Sequence, residues 1–240
     1  MPNPTIVSRR LVDAATRADM FALHARCFAG VRRERFDEDL EEKDWVILLR
    51  DATGRIVGFS TQKVLAGVPG AVGAKYLFSG DTIVAREHWN TPYLAGCFGH
   101  VMLRLIRENP RTPLFWFLIS KGFRTYRFLP VFFNRFWPGP GTDTPPDVLV
   151  RLHVVAGWKF GARFDPVDGL VKDSAGDRLS SDLAEIPKSR RGDPFTRFFL
   201  EANPRYDRGD ELACLAPISE DNLNALARRV IARTCPQWIE

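Results

Sequence analysis

An α/β fold, a mixed central sheet with flanking helices, is predicted by three observations. Two β-rich runs at 45–49 and 56–65 flank the turn Asp51-Ala52-Thr53-Gly54-Arg55, which marks a hairpin. A β-rich run at 75–85, an amphipathic stretch at 92–108 and the apolar run 114–120 then follow as strand, helix, strand, the order of a parallel crossover. With 45% hydrophobic and 26% charged residues among 240, the chain has the material for a packed core, and one domain over 1–240 is expected.

Residues 5–12 read as the opening strand. Thr16 is placed to cap a helix in which Met20, Phe21, Leu23, His24, Cys27 and Phe28 recur at helical spacing, with Gly30 at its end. A charged helix over 32–43 gives way to Trp45-Val46-Ile47-Leu48-Leu49, too β-branched and aliphatic for a surface helix. Glycines and a proline between Gly67 and Gly73 turn the chain into 75–85. Leu94, Cys97, Phe98, Val101, Met102, Leu105 and Ile106 give 92–108 a broad apolar face, and Asn109-Pro110 stops that helix. The run 114–120 suits a strand covered on both faces. An aromatic helix is expected over 125–137, a linker over 138–146, a long strand over 148–160 and a loop over 165–183. A helix over 194–202, a strand over 211–217 and a closing helix over 220–233 complete the chain, and about 161–210 reads as an insertion.

Several classes of function are disfavoured. The longest apolar run, 114–119, falls far short of the roughly 20 residues that span a membrane, and residues 1–10 show no cleavable signal pattern, so a cytoplasmic location is expected. Cys27, Cys97, Cys214 and Cys235 have no short paired spacing, which argues against a zinc knuckle and a disulfide framework alike. No metal spacing appears among the four histidines either. A net charge of +5 and a pI of about 9.2 come without a DNA-binding motif, so nucleic acid is not expected, whereas an anionic cofactor or an acidic carrier protein would suit.

The segment Phe78-Ser79-Gly80-Asp81-Thr82 breaks an otherwise apolar strand. A glycine there suggests a bulge or a close approach, and Asp81 is the best candidate for a general base because desolvation near a sheet centre raises a carboxylate pKa. The plain alternative is that Asp81 hydrogen-bonds a neighbouring loop. Among His24, His88, His100 and His153, each beside an apolar element, most read as structural; His88 and His153 are the two able to reach a substrate.

In element order, and in the phrases Trp45-Val46-Ile47 and Gly54-Arg55-Ile56-Val57-Gly58-Phe59, the chain resembles the Gcn5-related N-acetyltransferase (GNAT) superfamily from residue 5 to about 220. The resemblance implies a GNAT fold and an acyltransferase. Its donor would be an acyl-CoA or a phosphopantetheine-linked acyl carrier protein, its acceptor an amine on a small molecule, amino acid or peptide. It places the thioester between the strands at 75–85 and 114–120, with the pyrophosphate on the N-terminus of the helix between them. Here that loop is Arg86-Glu87-His88-Trp89-Asn90-Thr91-Pro92, with the leading arginine but no glycine. Another loop geometry, a carrier-protein donor, or a non-catalytic module that binds a carrier protein or peptide would each account for the difference.

Thr82, Ile83, Val84, Arg86, Trp89, Asn90, Lys121 and Arg124 are the donor-binding residues so implied, and Tyr126 the acid that protonates the departing thiolate. The alternative for Tyr126 is a core aromatic. The aromatic run from Phe128 to Trp137, interrupted by Pro130, would accept a medium or long acyl chain at about 0.8 kcal/mol per buried methylene. GNAT-like maturases that fatty-acylate amino acids or ribosomally made peptides are the relatives most compatible with it. The same rings could equally pack on the sheet or on a second copy of the chain in a homodimer. Lys121, Arg124, Arg127 and Arg135 form a basic rim around them that could meet the carrier, the phosphates of coenzyme A or only solvent.

Overall fold

The computed structural model describes residues 3–89, 91–172 and 176–240. The chain enters the sheet at once as β1 (Asn3–Ser8) and turns into α1 (Ala14–Cys27). The cap of α1 is Asp13, whose carboxylate accepts the Thr16 amide at 2.8 Å; Thr16, expected in that role, is the capped residue instead. After the two-residue β2 (Phe28–Ala29), the elements α2 (Arg33–Glu41), β3 (Trp45–Arg50), β4 (Ile56–Leu65), β5 (Lys75–Val84), α3 (Tyr93–Glu108) and β6 (Leu114–Ser120) follow the predicted order closely.

Beyond β6 the chain departs from expectation. The aromatic helix is two short pieces, α4 (Phe123–Tyr126) and α5 (Phe128–Phe132), because Pro130 has no amide to bond back to Tyr126. The strand expected over 148–160 is a helix, α6 (Pro146–Phe160), so His153 lies on a helix. Its buried residues Val148, Leu152, Val155 and Ala156 share one helical face, and Pro146 occupies the first turn, where no amide is needed. The stretch expected to be loop contains β7 (Phe164–Asp165), β8 (Leu170–Val171), β9 (Arg178–Leu179) and the start of α7 (Ser181–Ala184). Helix α8 (Pro194–Ala202) and strand β10 (Glu211–Pro217) lie where the sequence puts them. The closing helix is shorter than 220–233: it is α9 (Ala225–Ala232), capped by Asn224 and followed by an unanticipated strand, β11 (Gln237–Ile239).

The expected mixed sheet is present, in the order β11-β1-β3-β4-β5-β6-β10-β8-β7. Its β1–β11 and β5–β6 pairs are parallel and the other pairs antiparallel. Phe98, Val101 and Met102 of α3 and Ala227 and Ile231 of α9 share one core with Trp116 and Leu118 of β6. Elsewhere, Met20, Leu23, Phe36 and Leu40 of α1 and α2 pack with Phe59 and Ile83, while Leu152, Val155 and Ala156 of α6 pack with Phe78, Phe117 and Leu215. Close packing of α3 on α9 requires Gly99, where an added Cβ would lie 2.2 Å from Ile231 Cγ1. Cys27, Cys97 and Cys214 are buried and in no disulfide, and burial pushes Cys97 up to about 12. Among the described residues, no helix is long and apolar enough to cross a membrane.

Candidate functional site

Two features of β5 create the site. Its parallel pairing with β6 runs from Lys75 opposite Leu114 to Ser79 opposite Leu118 and then stops, although β5 continues to Val84 and β6 to Ser120. On its other edge, β5 pairs Ser79 with Gln62 and Thr82 with Ser60, so Gly80 and Asp81 together face Thr61 in a bulge. A Cβ on Gly80 would sit 2.5 Å from Thr61 Oγ1 and 2.9 Å from Lys43 Cε, which is why only glycine fits there. The bulge and the open seam together leave Gly80, Asp81 and Thr82 only partly buried, between the buried Ser79 and Ile83.

A cavity lies on each side of this seam. The first, about 510 Å³, is walled by Thr82, Ile83 and Val84 of β5, Leu94 and Ala95 at the start of α3, and Trp89, Lys121 and Arg124. Phe128 and Phe132 of α5 also reach its wall, stacked with ring centroids 5.8 Å apart. The second, about 380 Å³, holds His24, Asp39, Asp81, Lys121, Asp177 and Glu211. Phe28, Thr82, Lys121 and Thr125 line both, so the cavities meet where the strands part.

The second cavity is a chain of alternating charges. His24, buried to 4% exposure, has Nε2 3.1 Å from Asp177 Oδ2 and Nδ1 3.6 Å from Asp81 Oδ2. Lys121 Nζ donates to Asp177 Oδ1 at 3.1 Å and to the Asp177 carbonyl at 2.8 Å, with Glu211 Oε1 3.9 Å away. Desolvation raises the pKa of Asp81; His24 opposes this, and the like charges of Asp39 and Asp177 add to it. Its side chain keeps 27% exposure and lines the second cavity. Burial works against a charge on His24, but Asp81 and Asp177 outweigh it and raise its pKa. For Asp177, burial is likewise overcome, by the His24 hydrogen bond and the Lys121 charge, and its pKa falls well below the usual value. Lys121 is also buried, yet Glu211 and Asp177 hold its pKa up. The arrangement is thus a carboxylate of raised proton affinity beside an imidazole that favours its cationic form, facing an opening large enough for an amine.

The sequence-predicted residues divide. Asp81, Thr82, Ile83, Val84, Trp89, Lys121 and Arg124 line one or both cavities. The Trp89 indole donates to the Val84 carbonyl at 2.9 Å, and the Arg124 guanidinium lies 4.2 Å from the Trp89 ring centroid while donating to the Leu183 carbonyl. Asn90 lies outside the described residues. Arg86 and His88 are on a single turn of 3-10 helix, on neither cavity wall. His153, on α6, meets Phe164 edge-on at 5.7 Å, away from both cavities. Tyr126, expected near the thioester, is fully buried between Phe198 and Phe199, and its hydroxyl donates to the Pro138 carbonyl at 2.9 Å. Burial drives its pKa far upward, and its neighbour Thr125, not Tyr126, faces the junction.

Sequence reading missed His24, Asp177 and Glu211. His24 shares its helix face with Met20, Leu23 and Cys27, all buried, and a histidine on such a face must find polar partners. That was the one local signal; Asp177 and Glu211 come from distant segments. The basic rim is largely paired within the fold: Arg127 with Asp193 at 3.3 Å, Arg135 with Asp221 at 2.9 Å and Lys121 as above. Of the aromatic run, Phe133 packs on Trp116 and Phe136 on Tyr126, which leaves Phe128 and Phe132 on the cavity wall. Among the described residues, no group of three His, Cys, Asp or Glu is placed to hold a metal ion.

No protein-family model and no curated protein sequence matches the chain. Among solved structures, it is similar to a GNAT family N-acetyltransferase (YhbS) from Escherichia coli in complex with CoA, at 13% identity over 50% of this chain and 64% of that one, TM-score 0.38. A probable N-acyltransferase from Enterococcus faecalis aligns at 12% identity over 56% of this chain and 33% of its own, TM-score 0.41. A ribosomal-protein alanine N-acetyltransferase from Escherichia coli aligns at 9% identity over 90% of this chain and 94% of its own, TM-score 0.40. The chain spans less than two thirds of the length of the first two.

Proposed function

We propose that the protein transfers an acyl group from a coenzyme A thioester to an amine, with the donor in the first cavity and the acceptor in the second. The observation that carries this reading is the junction of the two cavities, at the point where β5 and β6 part, with Asp81 on the acceptor side. A thioester laid along β5 would present its carbonyl carbon at that junction. Anionic groups of the donor would meet the positive end of α3, where no side chain caps the first turn and Leu94 and Ala95 border the cavity, together with Lys121 and Arg124.

The acceptor arrives as an ammonium ion. Asp81 attracts it and takes its proton, directly or through water, and His24, 3.6 Å away, compensates its charge. The free amine then attacks across the junction. The second cavity carries both signs of charge, so the preference for an ammonium acceptor rests on Asp81 at the junction and not on the charge of the cavity as a whole.

The test is release of free coenzyme A from acetyl-CoA and longer acyl-CoAs in the presence of a panel of primary amines, amino acids and short peptides. Amine-dependent thiol release is expected. Donor binding without turnover for any acceptor would return the chain to a non-catalytic binding module, and no binding of coenzyme A or of a loaded carrier protein would remove the reading altogether.

A further inference from the structure

Beneath the junction runs a hydrogen-bonded chain of side chains that the reaction described so far does not use. The Trp116 indole donates to Ser79 Oγ at 2.9 Å, Ser79 Oγ donates to Gln62 Oε1 at 2.9 Å, and Gln62 Nε2 donates to Ser60 Oγ at 2.7 Å. Ser60 Oγ lies 2.8 Å from Thr82 Oγ1. Trp116, Ser79, Gln62 and Ser60 are all at most 4% exposed, whereas Thr82 lines both cavities.

Counting protons fixes the direction of the whole chain. An indole N–H can only donate, so Ser79 must accept from it and send its own proton on to Gln62. Turning the Gln62 amide round would aim an N–H at Ser79, which already accepts one, and would strand the buried Ser79 proton without an acceptor. The Gln62 amide therefore donates to Ser60; the Ser60–Thr82 bond could run either way by its geometry, and it runs from Ser60 because the proton of that buried hydroxyl has no other acceptor among the described residues. Thr82 accepts that bond and keeps its own proton for use elsewhere. Its internal alternative, the Gly80 carbonyl, is 3.4 Å away, which is long for a hydroxyl bond.

We propose that the Thr82 hydroxyl donates this remaining hydrogen bond to the carbonyl oxygen of the donor thioester, with Ser60, Gln62, Ser79 and Trp116 as the positioning residues that orient and polarise it. The inference rests on the acyl-transfer reading above and assigns the electrophile-binding group within it. As the amine nitrogen forms its bond to the carbonyl carbon, the π pair moves onto oxygen, where the Thr82 O–H meets the growing charge. When that pair returns, the carbon–sulfur bond breaks and the thiolate leaves. The first proton, taken from the ammonium ion by Asp81, passes to water; the nitrogen, cationic again once bonded to carbon, gives its second proton to the departing thiolate, so ammonium and thioester yield amide, thiol and one released proton. A donor fixed before the charge develops needs no reorganisation at the reacting moment, and each link in a directed chain strengthens the next.

The test compares acetyl-CoA with S-ethyl-CoA, a thioether whose CH2 replaces the carbonyl, on the wild type, Thr82→Val and Thr82→Ser. Thr82→Val keeps the shape and loses the hydroxyl. It is expected to lower kcat by about 10²-fold, to weaken acetyl-CoA binding measured by calorimetry and to leave S-ethyl-CoA binding unchanged; Thr82→Ser is expected to restore both. Should Thr82→Val fail to fold, Ser60→Ala breaks the chain one link back and should show the same selective loss, smaller in size. Unchanged kcat in Thr82→Val, or in a folded Ser60→Ala when Thr82→Val cannot be used, overturns the proposal. So does equal weakening of both ligands, which would make Thr82 a wall of the cavity and no more. A wild type that binds acetyl-CoA and turns over, with variants that behave like it, sinks this inference alone, whereas a wild type that binds neither ligand sinks the acyl-transfer reading as well.

Discussion

Asp81 and His24 sit close enough that neither titrates alone, and their opposite preferences set the pH behaviour. With its pKa raised, Asp81 is a stronger base once ionised than a surface aspartate, so acyl transfer should rise with pH through that raised value. Asp81→Asn is expected to lower turnover by about 10²- to 10⁴-fold and to flatten that limb; wild-type rates in a folded variant would show that the base lies elsewhere. Stability follows the reverse sign for His24. Because its folded pKa exceeds the ordinary 6.5, its stabilisation is complete below 6.5 and is lost as pH rises through the folded value. Ionisation of Asp81 also disfavours the fold as pH rises, whereas Asp177, with its lowered pKa, stabilises above the ordinary 3.8 and loses that contribution on acidification. The melting temperature of His24→Gln should therefore decline less from pH 6.5 upward than that of the wild type, and parallel curves would sink this account. Tyr126→Phe should act on stability alone, lowering it by about 1 kcal/mol as the Pro138 carbonyl loses its donor, with turnover unchanged. Of these groups, Asp81 was legible because a carboxylate interrupts an apolar strand. His24 was not, because it looks like one more member of a helix face until Asp81 and Asp177 arrive from residues far along the chain.

At the level of elements, the strands and helices up to Ser120 were legible because each carries one period, two or 3.6, and is bounded by its own turn residues. Helix α6 was not. Its valines favour a strand locally, but their burial on one helical face, against β5, β6 and β10, decides the outcome. The split of β5 from β6 was foreshadowed only by Gly80, the one residue in that segment whose lack of a side chain has a geometric reason. This makes Gly80 a test of the element rather than of the chemistry. Gly80→Ala puts a methyl 2.5 Å from Thr61 Oγ1, so Thr61 or Lys43 must move and the bulge must flatten or shift. A stability loss of about 1–3 kcal/mol is expected, as for other overpacked sites, together with a fall in kcat as Asp81 swings out of line. Gly99→Ala provides the comparison: it displaces Ile231 of α9 and should cost stability while leaving kcat in the folded protein unchanged. If Gly80→Ala loses stability and keeps full kcat, the bulge does not aim Asp81.

The molecule as a whole carries a net charge of +5, and its first cavity combines the positive end of α3 with Lys121, Arg124, Arg127 and Arg190. That combination would favour donors that bring phosphates with them. Coenzyme A and a carrier protein present the same pantetheine arm, so what separates them is where the remaining anionic groups fall. Coenzyme A bound as proposed would place its phosphates within the cavity, next to the start of α3. A carrier protein would place its acidic surface outside, near Arg135, whose side chain is 57% exposed and already paired with Asp221. Lys121 and Arg127 are paired in the same way, with Asp177 and Asp193, but the interior also offers the uncapped start of α3, and a coenzyme A donor is therefore expected over a carrier. Acetyl-pantetheine, which has the reacting end and no nucleotide phosphates, tests this directly. If two charge-assisted contacts are lost, each worth about 1.5–3 kcal/mol, kcat/KM should fall by at least roughly 10²-fold relative to acetyl-CoA. Raising the salt concentration should weaken acetyl-CoA and leave acetyl-pantetheine nearly unaffected, since only the former gains from the screened charges. Equal kcat/KM for the two donors, or a loaded carrier protein preferred over acetyl-CoA and lost on Arg135→Ala, would move the donor's anionic contacts out of the cavity and onto the surface around α5.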